Sequence, residues 1–217
     1  MNIWVATGNI HKKIELSGIL SELPGITLKI PSEAGIGFSP EENGLTFLDN
    51  ALIKAEDLYR LLNDKQLDSA GQSLWRQGDV IIADDSGICV DALDGRPGIY
   101  SARYGGPGLN DTDRNLLLLK ELGDNTSRKA SFVCALVLYY GPHHFFAAHE
   151  TLEGELVKSP GEARGKRGFG YDPILYIPEL GRTVAELADD EKNHWSHRGK
   201  AGRAIAKILE QARQVEQ

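Results

Sequence analysis

Apolar and polar positions alternate in blocks along the first part of the chain. Residues 2–6 alternate weakly but are rich in Ile, Trp and Val, and they stop at a Thr-Gly-Asn turn, which predicts a buried strand. A helix is predicted next, with apolar residues that recur unevenly from about 12 to 20, and Pro24-Gly25 ends that segment before a second predicted strand at 26–30. The pattern therefore predicts a strand, a loop, a helix and a further strand in succession.

A longer amphipathic helix is predicted next. Thr46-Phe-Leu-Asp49 carries a capping-box signature, and the apolar positions 47, 51, 55, 58 and 62 share one helical face. We therefore extend this helix to about Leu62. The stretch from Asn63 to Gly78 has no periodicity and is predicted to be an exposed connection.

The remaining pattern predicts more strands and two more helices. Val80 to Ala83 is a short apolar run that ends at Asp-Asp-Ser-Gly, while 130–140 and 145–151 flank Gly-Pro as in a β-hairpin. Residues 173–177 predict one more strand. Helices are expected from Asn110 or Thr112 through 122, and from about 196 to 214. Together these segments predict a mixed sheet.

Composition and charge limit the class of partner. At 217 residues and 41% hydrophobic, the chain can bury one sizeable core or two closely joined lobes, and one domain over 1–217 is expected. The net charge of -7 disfavours polymeric nucleic acid. Because no run approaches the ~18 apolar residues of a membrane span and no signal peptide begins the chain, we expect no membrane partner and a cytoplasmic location. Cys89 and Cys134 lie in apolar runs, so we expect them to be core residues.

Residues 7–13 (TGNIHKK) place a turn between a strand and a helix, which suits an anion. The N–H groups of a first helical turn point at such a ligand, and Thr7, Asn9 and Lys12 add donors. The segment matches neither a P-loop nor GxGxxG. Taken alone, it is also typical of a plain helix cap.

Two acidic pairs could hold a metal ion. Glu41 and Glu42 lie in one loop, and Asp84 and Asp85 follow a predicted strand. Magnesium commonly takes one or two carboxylates together with substrate phosphates and water, so one acid from each pair would suffice. A solvated loop and an ordinary turn are the alternative interpretation of the two pairs.

Aromatic and basic residues in the last third could bind a base. GFGYDP at 168–173 places Phe169 between two glycines, and SHRGKA at 196–201 places His197 and Arg198 at a helix start. An aromatic ring can stack on a base, and the two basic side chains can reach a base edge. Core packing and helix capping explain the same residues equally well when each is taken alone.

Five ordered blocks change that balance, because together they closely resemble the inosine triphosphate pyrophosphatase family over nearly the whole chain. They are TGNIHK at 7–12, EENGLTFLDNALIKA at 41–55, ADDSGICVDALDGRPGIYSARYGG at 83–106, GFGYDPILYIP at 168–178 and EKNHWSHRGKA at 191–201. The resemblance implies a homodimeric α/β protein with a long mixed twisted sheet, flanking helices and two lobes with an active-site cleft between them.

The resemblance also implies roles for particular residues. Asp85 matches the general base and, with Glu41, the magnesium-linked acids, although Glu42 leaves the identity of the second acid open by one residue. The substrate would be a nonstandard purine nucleoside triphosphate such as ITP, dITP or XTP. Its implied binding residues are Thr7, Gly8, Asn9, Ile10, His11, Lys12, Ser86, Phe169, Gly170, Tyr171, Asp172, Lys192, His197 and Arg198.

Two other functions fit part of the pattern. A nucleotide-binding regulatory module could keep these residues without turnover, but acids beside a phosphate loop weaken anion binding unless a metal is present. A phosphatase acting on sugar phosphates would have no use for the GFGYD and SHRGKA blocks. Release of pyrophosphate rather than orthophosphate distinguishes a pyrophosphatase from such a phosphatase.

Overall fold

The computed structural model describes residues 1–21, 23–64 and 73–215. Its strands form a seven-stranded sheet in the order β2-β1-β3-β4-β5-β6-β7. The strands are β1 (Asn2–Val5), β2 (Thr27–Lys29), β3 (Val80–Val90), β4 (Lys129–Gly141), β5 (His144–Leu156), β6 (Leu175–Ile177) and β7 (Arg182–Thr183).

The sheet is mixed. Strand β1 pairs in parallel with both β2 and β3, whereas β6 pairs antiparallel with β5 and with β7. The predicted hairpin lies at β4 and β5, which only Pro142 and His143 separate. The α/β class and the mixed sheet with flanking helices are confirmed.

Five α-helices accompany the strands within the described ranges. They are α1 (Ile10–Leu20), α2 (Phe47–Asn63), α3 (Asp111–Leu122), α4 (Asp189–Trp195) and α5 (His197–Val215). The predicted caps are present: Thr46 and Asp49 form a capping box on α2, and Asn110 accepts from the amide of Asp113 on α3. Since Asp, Asn and Thr side chains satisfy otherwise unpaired N–H groups, these starts could be placed from sequence. None of the helices described here is both long and apolar enough to cross a membrane.

The chain divides into two compact units. The first unit comprises Met1–Asp85, Cys134–His149 and Ala201–Gln217, and the second comprises Ser86–Val133 and Glu150–Lys200. In the first unit, strand alternation creates two apolar clusters. Ile82 packs in a cluster with Leu16 of α1 and Ile205 of α5, whereas Ile81 packs in a cluster with Leu58 of α2.

The second unit has a core of its own. Leu118 and Leu122 of α3 belong to one buried cluster with Ile88, Leu152 and Ile174. At about 25 cal/mol per Å² of apolar surface, burying such side chains stabilises each by roughly 1.5–3 kcal/mol. Tyr171 belongs to this core, and Phe132 of the core stacks on His197, so the core contacts both segments that carry the candidate base-binding residues, 168–172 and 192–198.

Strand β3 is longer than the sequence predicts. The prediction that a strand ends at Ala83 was wrong, because β3 continues to Val90. Asp84 and Asp85 are tolerated inside a buried strand because each carboxylate contacts a lysine. Half of the predicted connection from Asn63 to Gly78, residues 65–72, lies outside the described residues.

Candidate active site

The turn at residues 7–12 is a capped helix start at the end of β1. The Thr7 hydroxyl accepts a hydrogen bond from the Asn9 amide at 3.0 Å, and the Asn9 side chain accepts from the amide of His11 at 2.9 Å. Gly8, Ile10 and His11 are exposed. The positive end of the α1 dipole therefore lies at a surface turn, which is the arrangement that binds anions at helix N-termini.

Lys12 connects this turn to strand β3. Its ammonium lies 2.9 Å from Oδ2 of Asp84, whose side chain is fully buried. A buried carboxylate needs such a partner, because desolvation of an unpaired charge costs several kcal/mol. Lys12 is thus held at the start of α1, where the sequence predicted that it binds phosphate.

Asp85 meets a different set of residues, on helix α2. Its Oδ2 accepts from the side-chain amide of Asn50 at 2.9 Å, and its Oδ1 lies 3.5 Å from the ammonium of Lys54. Lys54 also lies 2.9 Å from Oε2 of Glu42. Asp85, Asn50, Lys54 and Glu42 therefore form one group, which we call the acid–lysine group.

Strand geometry explains why two consecutive aspartates have different partners. Successive side chains in a strand point to opposite faces of the sheet. Asp84 follows Ile82 onto the face that carries Lys12 of α1, and Asp85 follows Ile81 onto the face that carries α2. The two carboxylates are neighbours in sequence but belong to separate contacts.

Lys54 is the electrostatic centre of the acid–lysine group. Burial alone lowers the pKa of its ammonium, but attraction by Asp85, Asp84 and Glu42 together outweighs burial, so the pKa is raised above 10.5. The lysine is therefore cationic at neutral pH and attracts the surrounding carboxylates.

The donor set fits a divalent cation. Glu42 and Asp85 supply two carboxylates against the ammonium group of Lys54, which leaves one formal negative charge. Glu41 is exposed, and the structure does not bring it into this group. Within the described ranges, no three acidic, histidine or cysteine side chains converge on one point. The two carboxylates that contact Lys54 suit magnesium, which commonly completes its coordination with substrate phosphates and water.

A second group of predicted residues gathers in the second unit, and we call it the Phe169 group: Phe169, Asp172, Lys192 and Arg198. The ammonium of Lys192 lies 4.9 Å from the centroid of the Phe169 ring, and the guanidinium carbon of Arg198 lies 5.8 Å from it. The Phe169 amide donates to Oδ2 of Asp172 at 2.8 Å. One aromatic ring is thus bordered by two cations, an arrangement that suits an aromatic, anionic ligand.

Hydrogen bonds fix the basic side chains of this group. Lys192 lies 2.6 Å from Oδ2 of Asp172, and Arg198 donates to the Ser86 hydroxyl at 2.7 Å. His197 stacks on Phe132 with ring centroids 5.0 Å apart. All these side chains except Ser86 and Phe132 were predicted to touch the base or sugar-phosphate, and Ser86 was predicted to contact substrate beside Asp85. The structure brings them together.

Lys54 and Asn50 were missed from the sequence. Both lie three residues after an apolar position of α2, so they fall on the flank of its buried face, as Ala51 and Ala55 do. Polar residues at i and i+4 inside an apolar stripe need buried partners, and that signal could have identified them. The role of Asp84 as the partner of Lys12 was also missed.

These observations define a class of protein. A capped helix start with a lysine, buried acids around a second lysine, and an aromatic ring bordered by cations are the parts of an α/β protein that binds nucleotides and cleaves phosphoanhydrides. The chain belongs to the Ham1 family, whose sequence profile matches residues 3–208. The resemblance to nucleoside triphosphate pyrophosphatases is confirmed.

Named relatives match along nearly their whole length. The chain is 39% identical over 212 residues to a dITP/XTP pyrophosphatase of Treponema denticola, covering 96% of this chain and 98% of the relative. It is 44% identical over 196 residues to a dITP/XTP pyrophosphatase of Leptospira biflexa, covering 90% of each.

Solved structures show the same fold. A Ham1 protein of Staphylococcus aureus superposes with a TM-score of 0.80 at 35% identity, covering 98% of this chain and 100% of that chain. A HAM1 protein of Coxiella burnetii gives 0.79 at 34% identity, covering 97% and 99%.

Proposed function

We propose that this chain hydrolyses the nonstandard purine nucleoside triphosphates dITP, XTP and ITP to the nucleoside monophosphate and pyrophosphate. The observation that carries this function is the 39–44% identity to proteins named dITP/XTP pyrophosphatases across 90–96% of the chain. The acid–lysine group and the Phe169 group supply the chemistry that such a reaction needs. The reaction removes these nucleotides from the precursor pool.

The triphosphate binds at the start of α1. Thr7, Gly8 and Asn9 form the turn, and the helix dipole with Lys12 attracts the phosphate oxygens. Because Lys12 is already held by Asp84, little side-chain entropy is lost when the nucleotide binds. The turn therefore orients the polyphosphate for attack at the α-phosphorus.

Asp85 acts on the attacking water. Its carboxylate accepts a proton as the water oxygen bonds to the α-phosphorus, and the bond from that phosphorus to the bridging oxygen breaks to release pyrophosphate. Asn50 and Lys54 fix the Asp85 oxygens from the helix side. Replacement of Asp85 by Asn is expected to abolish turnover and leave the fold intact.

Magnesium is the proposed cofactor, held by Asp85 with Glu42 or Glu41. When bound, it supplies neutralisation of charge on the polyphosphate. The contact of Glu42 with Lys54 supports Glu42 over Glu41 as the second acid.

Base selection is proposed for the Phe169 group. The purine stacks on Phe169, and donors from His197 and Arg198 bind the 6-oxo group of hypoxanthine or xanthine. Adenine carries a 6-amino donor at that position and leaves those donors unpaired, which can reduce kcat/KM by about 10⁴-fold. Guanine shares the 6-oxo group, so its exclusion must involve its 2-amino group. Gly170, Tyr171, Asp172, Lys192 and Ser86 complete the proposed substrate contacts.

We also propose that the chain acts as a homodimer in the cytoplasm, without polymeric nucleic acid or membrane as a partner. The net charge of -7 supports a small, metal-bound anion as the ligand in preference to a nucleic-acid backbone. Size-exclusion chromatography with light scattering tests the dimer directly.

Turnover of dITP, XTP, ITP, ATP and GTP, with and without Mg²⁺, tests the function. Pyrophosphate from dITP, XTP and ITP, formed only with Mg²⁺, is the expected result. Orthophosphate as the product would indicate a phosphatase. Tight binding of dITP without product would indicate a regulatory module.

A further inference from the structure

Helix α3 holds the middle of the GFGYD segment. The amide of Gly170 donates to Oδ2 of Asp111 at 2.8 Å, and its carbonyl accepts from the side-chain amide of Asn115 at 3.1 Å. Asp111 and Asn115 are four residues apart and therefore lie on one face of the helix. A single helix face thus binds both backbone polar groups of one glycine, and we call this pair of contacts the Gly170 clamp.

The residues on either side of Gly170 are fixed as well. The Phe169 amide donates to Asp172 at 2.8 Å, and the Tyr171 hydroxyl donates to the carbonyl of Ser101 at 2.9 Å. Gly170 itself has a φ of 62°, a backbone conformation that L side chains rarely adopt. The peptide planes on both sides of Gly170 therefore have defined orientations.

We propose that Asp111 and Asn115 are positioning residues for the purine base. By fixing the peptides around Gly170 they fix the Phe169 ring on which the base stacks, so that it is in place before the nucleotide binds. This inference rests on the proposed function, since it assigns the clamp to the base-binding side of the same reaction.

The exposure of Asp111 supports positioning over a role in folding. Its side chain is 56% exposed, and its ion pair with Arg114 is long, at 3.4 Å. Exposed contacts of this kind contribute little to the free energy of unfolding. A contact that adds little stability can still set the direction of a ring, because the backbone next to Phe169 has few alternatives once Gly170 is held.

Asp111→Ala tests the clamp, with Asp113→Ala as the matched control. Both variants remove one negative charge from the first turn of α3, but only Asp111 bonds to Gly170. We expect Asp111→Ala to raise KM for dITP about fivefold, the factor that one hydrogen bond of ~1 kcal/mol represents, with kcat within about twofold. Asp111→Asn keeps an acceptor and is expected to restore most of the affinity, while Asp113→Ala stays close to the unaltered chain.

Product inhibition distinguishes base positioning from a general disturbance. The inhibition constant of dIMP, which carries the base, is expected to rise in Asp111→Ala in step with KM, and that of pyrophosphate is expected to stay unchanged. An unchanged KM, or a fall in kcat with equal weakening of pyrophosphate, would overturn the positioning role. If the unaltered chain releases no pyrophosphate from dITP, the proposed function itself fails and the clamp loses its assigned purpose.

Discussion

Replacing Lys54 with methionine removes the one cation of the acid–lysine group and keeps a side chain of similar length. Lys54 is 6% exposed and contacts Glu42 at 2.9 Å and Asp85 at 3.5 Å. In the variant these two carboxylates face an apolar side chain. The change therefore tests how much the contact between Lys54 and the buried Asp85 stabilises the fold.

The structure sets the size of the effect. Breaking a buried ion pair typically costs 3–5 kcal/mol, but the Glu42 side chain is 31% exposed and can turn to water. The penalty falls mainly on Asp85, whose side chain is 10% exposed, so we expect a loss of about 3 kcal/mol. For a chain of this length, that corresponds to a fall in Tm of roughly 6–12 °C.

Thermal unfolding followed by circular dichroism measures this loss. Arg60→Met is the matched control, because Arg60 lies on the same helix and also pairs with two acids, yet its side chain is 67% exposed. We expect the control to cost less than about 1 kcal/mol.

Because the pKa of Lys54 is raised, the stability that Lys54 gives the fold is complete below pH 10.5 and is lost only as the pH rises through the higher folded-state value.

A double variant provides the decisive comparison. Adding Asp85→Asn to Lys54→Met removes the buried charge that lost its partner, so part of the lost stability should return. A Tm for Lys54→Met within about 2 °C of the unaltered chain would refute the electrostatic account. So would an Asp85→Asn change that lowers the Tm further in the methionine background.

Three further changes test other parts of the molecule. Gly168→Ala should lower kcat/KM for dITP roughly tenfold, because the φ of 72° disfavours a side chain and a Cβ would collide with the Asp172 carboxylate. Unaltered kinetics of the variant would contradict this prediction. The hydrogen bond from Arg182, followed by that from the Ala188 amide, lowers the pKa of Glu191 to about 2, so the stability it provides is present above pH 4.5 and lost towards pH 2. The difference in Tm from Glu191→Gln should narrow over that interval, and a constant difference would disprove the assignment. Removal of Mg²⁺ with EDTA should stop pyrophosphate release and its return should restore it, whereas activity that persists in EDTA would argue against metal dependence.

Helix starts and the two sets of ligand-binding segments could be predicted because their signals are local. Asn9, Thr46 and Asn110 satisfy helix N–H groups within a few residues, so the sequence alone identifies them. The five motif blocks likewise predicted the residues around Phe169, which the structure brings together. The roles given to these residues remain predictions.

Contacts between distant segments could not be predicted in the same way. The end of β3 was placed too early because Asp84 and Asp85 favour turns locally, and only their lysine partners on α1 and α2 make them suitable for a buried strand. The choice of Glu42 over Glu41 as the contact of Lys54 depends on how the loop meets the helix. The short β7 and α4 carry too few residues for a periodic signal.

The alternation of β3 has a consequence for how this chain can vary. Deleting one residue from 80–83 in frame would exchange the directions of Asp84 and Asp85, so each carboxylate would face the helix of the other. Loss of two residues would shorten the strand but keep each acid on its own face. A change of one residue in the length of this strand should therefore disrupt both ion pairs, and two adjacent, chemically identical residues cannot replace one another.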